Sequence, residues 1–177
     1  ATVEDVLAQA LDSAKKAGAT YADARIVRRR TERVATREDH VVSVTSAETY
    51  GIGVRVIADG AWGFASSPTV TGGAAEEAAR KAVAIARAAR PALKHPVELA
   101  PAPVAKGKWQ TKMDIDPFEV PLADKAAYLL SLWPLVRDVA LVKFASGAIE
   151  SLGEHKIFAS SEGSLVEQTQ TRIWPSF

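Results

Sequence analysis

The chain has 177 residues, enough for one domain or two small ones, and its 47% hydrophobic and 24% charged residues exclude a wholly disordered chain. The 22 Lys and Arg against 21 Asp and Glu give a net charge of +1, so no overall field favours nucleic acid or an anionic membrane as partner. The absence of cysteine excludes disulfides, thiolate metal ligands and a cysteine nucleophile within these residues.

No apolar run approaches the length of a transmembrane helix, and the first residues lack the basic start and apolar core of a signal peptide. We therefore expect a cytoplasmic location and no membrane partner.

The first predicted element is an amphipathic helix over residues 3–17. Thr2 and Asp5 have the spacing of a capping box, and Gly18 is placed to end the helix. The apolar residues recur at the spacing of one buried helical stripe, which consists of Val3, Val6, Leu7, Ala10, Leu11 and Ala14.

Residues 20–66 have the pattern of an antiparallel meander. Asp59-Gly60 predicts a tight hairpin turn, with Ile52, Val54 and Val56 facing the core and Arg55 facing away. Connections this short exclude parallel crossovers. Four strands are predicted, over Ala24 to Thr36, Val41 to Thr45, Gly51 to Ala58 and Ala61 to Ser66.

The second half contains two further helices and a second group of strands. Thr71 is predicted to cap an alanine-rich helix that ends at Pro91, and a third helix is predicted over 121–138. The proline-rich residues 91–121 between them are expected to cross the surface as extended chain. Strands are predicted over Leu141 to Ser151, Lys156 to Ser160 and Ser164 to Ile173, with turns at Leu152-Gly153 and Glu162-Gly163.

The order α-ββββ-α-α-βββ predicts an α+β fold, with antiparallel sheet and helices packed on one side. We expect one domain over residues 1–177, divided into an α-ββββ-α part (1–90), the proline-rich connection (91–121) and an α-βββ part (122–177).

Catalytic and metal-binding motifs are absent from the sequence. It has no His-Glu-x-x-His, no Gly-x-Ser-x-Gly and no phosphate-binding loop. Gly51-Ile52-Gly53 resembles the start of a dinucleotide fingerprint, but it lies within a strand pattern, where glycines indicate close backbone approach or a bulge. The three histidines, at positions 40, 95 and 155, lie on unrelated elements, and we expect no metal site or cofactor within this chain.

An arginine-rich segment allows two interpretations. It contains Arg25, Arg28, Arg29, Arg30, Arg33 and Arg37, offset in part by Glu32, Glu38 and Asp39. Strand alternation divides these arginines between two faces, which favours a solvated hairpin protected by charge over a nucleic-acid site. Contact with DNA or an acidic protein remains the alternative function, that of a free-standing binding or assembly module.

The residues Ser160, Ser161, Glu162 and Gly163 also allow two interpretations. A serine nucleophile is one, but no histidine is near in sequence; a β-turn between two strands is the interpretation we favour. Trp62 and Phe64 alternate around Gly63, which is typical of sheet core or the lining of a cleft.

These segments together resemble the N-terminal domain of the TldD/PmbA family, in details more TldD than its sister PmbA (also called TldE). The resemblance covers about residues 3–170. It rests on Tyr21 to Arg25, Gly51 to Val56, Asp59 to Ser66, Ala82 to Arg87 and Phe158 to Gly163. The residues that carry this signature, which we expect to be mainly structural, are Gly51, Gly53, Arg55, Gly60, Gly63, Phe64, Ser160, Ser161, Glu162 and Gly163.

The resemblance implies a zinc metallopeptidase lineage, once described as a modulator of DNA gyrase, that acts on unfolded peptides. The His-Glu-x-x-x-His helix of intact members does not occur in these 177 residues, so no catalytic residue is carried over. The chain is expected to be an N-terminal portion that is inactive alone. It would help to form the peptide cleft, bind a sister TldD/PmbA-type subunit in a homo- or hetero-oligomer, and leave zinc to the intact enzyme; nucleic acid is not an expected partner.

Overall fold

A computed structural model describes residues 2–177 and confirms the α+β class. Its six strands form one sheet in the order β3-β2-β1-β5-β6-β4. None of the helices in the described residues is long and apolar enough to span a membrane. The elements are α1 (Val3–Lys16), β1 (Tyr21–Arg37), β2 (His40–Ala58), β3 (Ala61–Ser67), α2 (Gly72–Ala89), a 3₁₀ turn (Arg90–Ala92), β4 (Lys106–Gln110), α3 (Leu122–Val136), β5 (Ser146–Ser160) and β6 (Leu165–Ser176).

The three predicted helices are present, and α1 and α2 have the predicted N-caps. The Thr2 hydroxyl accepts a hydrogen bond from the Asp5 backbone, and the Asp5 carboxylate accepts one from the Thr2 backbone, which completes the capping box of α1. The Thr71 hydroxyl caps α2 through the backbone N–H of Ala74. Pro134 lies inside α3, which continues past it for two residues.

Most strands are longer than predicted, but the strand predicted to start at Leu141 starts only at Ser146, because residues 141–145 lie outside β5. The predicted second and third strands form one continuous strand, β2. The sequence did not show this because nearly all of residues 41–50 are exposed and lack the alternation of buried and exposed residues that marks a strand. The turn predicted at Leu152-Gly153 is wrong, because both residues lie inside β5. A Cβ on Gly153 would lie 2.8 Å from a ring carbon of Phe118, so this glycine makes room for a ring instead of turning the chain. The proline-rich connection contains the short strand β4.

The chain divides into two compact units, and β1, β2, β5 and β6 contribute residues to both. Unit 1 consists of Ala1–Arg28, Thr49–Trp109 and His155–Gln168, and unit 2 of Arg29–Glu48, Gln110–Glu154 and Thr169–Phe177. The single-domain organisation expected from the sequence stays a prediction.

Unit 1 contains the larger core, formed where α1 and α2 cover one face of its strands. Ile52, Val54 and Val56 are buried there as predicted, whereas Arg55 between them points to the other face. Small residues let α2 lie very close to β3: a Cβ on Gly63 would lie 1.9 Å from the Ala82 carbonyl oxygen. This close approach leaves no room for a side chain at position 63.

Unit 2 contains a small core, in which α3 packs against β1 and β5 through Val34, Leu129 and Ile149. Beside it the buried Lys125 donates a hydrogen bond of 2.8 Å to Glu32, so the charge of this lysine is paired where water is largely excluded.

The β2–β3 hairpin has the predicted two-residue turn. Asp59 and Gly60 have φ values of +51° and +74°, and Ala58 pairs with Ala61 across the turn. Two consecutive positive φ angles are those of a type I′ turn, whose twist matches that of the strands. The turn at Glu162-Gly163 is also confirmed, with Gly163 at φ +96°.

We expect Gly60→Val to lower the free energy of unfolding by about 1–3 kcal/mol, because a β-branched residue is strained at positive φ. Its Cβ would also lie 2.7 Å from that of Pro96. Thermal unfolding measures the effect. The matched control is Gly73→Val, since nothing lies within 4 Å of a Cβ at Gly73 and its φ is not positive. An unchanged midpoint for Gly60→Val would contradict the assigned turn.

Candidate functional site

The most unusual side chain of unit 1 is Asp23, a carboxylate with no solvent exposure. One of its oxygens, Oδ1, accepts a hydrogen bond of 2.8 Å from Nη2 of Arg25. The other, Oδ2, is contacted by Nε and Nη2 of Arg55 at 2.8 and 2.6 Å and by the Tyr21 hydroxyl at 3.1 Å. A buried carboxylate needs such donors in place of water, and here three side chains supply them.

Strand alternation brings these groups to one face. On β1, Ala22, Ala24 and Ile26 are buried under the helices, so the residues between them point to the opposite side. Arg55 lies between the core residues Val54 and Val56 on β2 and points the same way.

Aromatic rings surround the two arginines. The guanidinium of Arg55 lies 4.6 Å from the ring centre of Trp62, and that of Arg25 lies 5.5 Å from that of Phe158. Tyr21 meets Trp62 edge to face at 6.0 Å, and Phe64 pairs with Arg55 across β2 and β3. We call this surface the arginine–aromatic face; it consists of Tyr21, Arg25, Arg55, Trp62, Phe64 and Phe158.

The arginine–aromatic face is positively charged, because two guanidinium groups share the one Asp23 carboxylate. Burial raises the pKa of Tyr21, and the charge and hydrogen bond of Asp23 raise it further. Burial works to lower the pKa of Arg55, but the hydrogen bond and charge of Asp23 outweigh it, and the pKa lies above its ordinary value. Tyr21 is therefore neutral and Arg55 charged at neutral pH.

The signature residues Gly51 and Gly53 lie beside this face, and Gly53 lies next to Phe64 within it. A Cβ on Gly53 would lie 3.0 Å from the Phe64 ring, so the glycine gives the ring a place to lie across β2. A Cβ on Gly51 would lie 2.8 Å from the carbonyl oxygen of Ser67, which requires a close backbone approach.

The signature residues Ser160, Ser161, Glu162 and Gly163 lie elsewhere in unit 1, at the turn between β5 and β6. Ser161 exchanges two hydrogen bonds with Ala22: its hydroxyl accepts one of 3.0 Å and its backbone N–H donates one of 2.8 Å. The Ser160 hydroxyl accepts from the Ser164 backbone at 3.3 Å. These bonds favour the turn interpretation over a nucleophile. The four residues also line a groove of about 580 Å³ beside α1.

Among residues 2–177, no group of three or more His, Cys, Asp or Glu side chains could hold a metal ion. His155 contacts Glu167 at 2.9 Å, and His40 contacts the neighbouring Asp39. The described residues therefore do not bring together the three or four ligands that a zinc site needs.

Most of the arginines of β1 contact other side chains. Arg28 lies over Tyr50, Arg30 over Phe118 and Arg37 over Phe144, at 5.1, 4.5 and 5.3 Å from the ring centres. Arg33 forms an ion pair of 2.7 Å with Glu150. These contacts favour the hairpin interpretation over a set of arginines aimed at phosphates.

Sequence analysis missed the central role of Asp23. An acidic residue between two alanines that are buried in a strand, with an arginine two residues later, was the signal that could have found it. Its second partner, Arg55, is 32 residues away and could not be assigned from spacing.

Comparison with known proteins identifies the type of domain. Residues 22–86 match the family model for "PmbA/TldA metallopeptidase domain 1". A metalloprotease from Methanothermobacter thermautotrophicus is 27% identical over 161 residues, which are 86% of this chain and 32% of that protein. Residues 22–86 thus match the first domain of this type of protein, and the predicted resemblance to the TldD/PmbA N-terminal domain is confirmed.

Solved structures show the same fold at low sequence identity. TldE from Thermococcus kodakarensis has a TM-score of 0.72 and 17% identity, covering 96% of this chain and 38% of its own. A candidate modulator of DNA gyrase from Thermotoga maritima has a TM-score of 0.73 and 16% identity, covering 98% of this chain and 39% of its own. The chain spans about a third of the curated relative and about two fifths of these structures.

We expect Asp23→Asn to lower the free energy of unfolding by about 1–3 kcal/mol, because the charged acceptor shared by Arg25 and Arg55 is lost while both arginines still reach water. Chemical denaturation measures this. Asp12→Asn on α1 is the matched control: its ion pair with Lys16 is exposed, so the change should stay within about 0.5 kcal/mol. Equal stability of the two variants would show that the Asp23 contacts contribute little.

Proposed function

We propose that this chain acts as the non-catalytic N-terminal domain of a TldD-like metallopeptidase and forms one wall of the cleft that receives unfolded peptides. The observation that supports this best is the arginine–aromatic face. It lies on the side of the strands opposite α1 and α2, and Phe64 on it is 55% exposed. A cytoplasmic location and a role in proteolysis are parts of the same proposal.

A sheet suits loosely selective peptide binding. β3 is a terminal strand of the sheet, so its outer edge can offer main-chain groups to an extended peptide. Main-chain pairing does not depend on side-chain identity, whereas the neighbouring rings add apolar contact for many side chains. The cleft wall would therefore accept peptides of varied sequence.

The catalytic metal belongs to other parts of an intact enzyme in this proposal. In metallopeptidases zinc polarises the scissile carbonyl and activates a water molecule. The described residues of this chain bring no ligand set together for it. The part of this chain is then to hold and orient the peptide.

The surface of unit 2 supports a role in subunit assembly. Its core contains three large buried side chains, yet many large apolar side chains lie on its surface. Leu141 is 92% exposed, with Leu135, Val139 and Phe144 exposed on the same segment. Exposed apolar side chains grouped in this way mark protein interaction surfaces. We assign this segment, residues 135–144, to contact with a sister subunit or a further copy of the chain.

We expect the purified chain to hold no stoichiometric zinc and to cleave no unfolded peptide, while still binding such peptides. Metal analysis, a cleavage assay with added zinc, and anisotropy of a labelled peptide measure the three properties. Stoichiometric zinc with metal-dependent hydrolysis would overturn the non-catalytic assignment. Absence of peptide binding would overturn the cleft role alone.

We expect Leu141→Asn to weaken self-association or association with a sister subunit, without destabilising the fold. The side chain is almost fully exposed, and its φ of +75° suits asparagine better than leucine. Sedimentation at several protein concentrations measures association, and thermal unfolding measures stability. The control is Ile85→Gln, which removes an exposed apolar side chain from α2 in unit 1. Equal association of both variants and the unmodified chain would contradict the assignment.

A further inference from the structure

We propose that the arginine–aromatic face binds acidic side chains of the peptide, through the guanidinium groups of Arg55 and Arg25. The inference rests on the proposed peptide-binding role and specifies its chemistry: peptides with Asp or Glu at this position bind more tightly than neutral or basic ones.

The charge count of the face carries the proposal. Among its side chains and Asp23, two positive groups oppose a single negative one, since Tyr21 is neutral at neutral pH. One positive charge is thus left over. Arg25 and Arg55 are 39% and 43% exposed, so this charge lies where a ligand can reach it.

The arginines also have hydrogen-bond donors beyond those that Asp23 uses. Asp23 contacts Nε and Nη2 of Arg55 and Nη2 of Arg25. A guanidinium carries five N–H groups in a fixed fork that matches the geometry of a carboxylate. A second carboxylate can therefore be bound without displacing the first.

The surroundings hold the guanidinium groups in place before a ligand arrives. Asp23 fixes one side of each group, and the rings of Trp62 and Phe158 lie against the faces of Arg55 and Arg25. Long side chains lose considerable conformational entropy when they are ordered on binding, and here that loss has already occurred on folding. The site is thus more selective than mobile surface arginines.

The position of Arg55 suits a peptide paired with β3. Neighbouring strands lie about 4.8 Å apart. The Arg55 guanidinium, held by Asp23, lies 4.6 Å from the ring centre of Trp62 on β3, so a glutamate side chain of a peptide strand added to β3 can approach it across Trp62. Phe64 lies opposite Arg55 in the β2–β3 register and is exposed, so the peptide residues beside the acid meet an apolar ring.

The test compares labelled, N-acetylated and C-amidated extended peptides that differ only in carrying Glu, Gln or Lys at the same positions. On the full 177-residue chain at low salt, we expect the Glu peptide to bind about three- to tenfold more tightly than the Gln peptide and the Lys peptide to bind more weakly than both. Added salt should reduce the preference for Glu.

Arg55→Met should abolish the preference, because it removes the excess charge while Asp23 keeps Arg25 and Tyr21 as partners. Arg55→Lys should keep part of it. The control Arg80→Met removes the same charge from α2, where Arg80 pairs with Glu76, and should leave the preference unchanged. Thermal unfolding checks that each variant is folded. If Arg55→Met does not fold, the ratio of the affinities of the Glu and Gln peptides for the unmodified chain still tests the proposal.

Equal binding of the Glu and Gln peptides would overturn this inference and leave the cleft role intact, whereas no binding of any peptide would overturn the cleft role itself. A Gln peptide with a free C-terminus serves as a further comparison. If this peptide binds more tightly than the capped Gln peptide while the capped Glu peptide does not, the inference is overturned in favour of a site for the terminal carboxylate. Tighter binding of a single-stranded oligonucleotide than of the Glu peptide at the same salt would overturn it in favour of phosphate recognition.

Discussion

The sheet of unit 1 depends on the hydrogen bonds and ion pairs that the buried carboxylate of Asp23 forms. A carboxylate that is shielded from water needs hydrogen-bond donors from the protein. Tyr21 and Arg25 on the same strand and Arg55 on β2 donate hydrogen bonds to Asp23. A shift of β2 by one residue would move Arg55 to the opposite face and leave the carboxylate without its principal partner. The ion pair thus fixes the register of the strands and the direction of both arginines at once.

The two faces of the same strands have opposite character because the helices cover only one of them. Alanines on α2 and Gly63 on β3 allow an approach so close that a single added methyl group would overlap the Ala82 carbonyl. The core of unit 1 is therefore packed on one face of the sheet, and the residues of the other face are not needed to form it. Arginines and aromatic rings can therefore occupy that second face in a defined arrangement.

The features that the sequence predicted are those set by local chemistry. The capping box at Thr2, the alanine stripe of α2 and the Asp59-Gly60 turn depend on residues a few positions apart, and all three are present. The predictions failed where the deciding contact is distant. Gly153 looked like a turn because its real neighbour, Phe118, is 35 positions away, and the exposed half of β2 carries no buried alternation to mark it as strand. The candidate site was hidden for the same reason, since Asp23 and Arg55 are 32 residues apart.

The two units differ in how many of their large apolar side chains are buried. Unit 1 buries a continuous group of aliphatic side chains beneath two helices, whereas unit 2 buries few and exposes leucine, valine, phenylalanine and tryptophan. Apolar surface left in water is a cost that a covering partner removes. Leu141, held at positive φ and exposed, has no reason in the fold of unit 2 to be a leucine. In the assembly that we propose, this surface becomes interior, and unit 1 presents the arginine–aromatic face to a peptide.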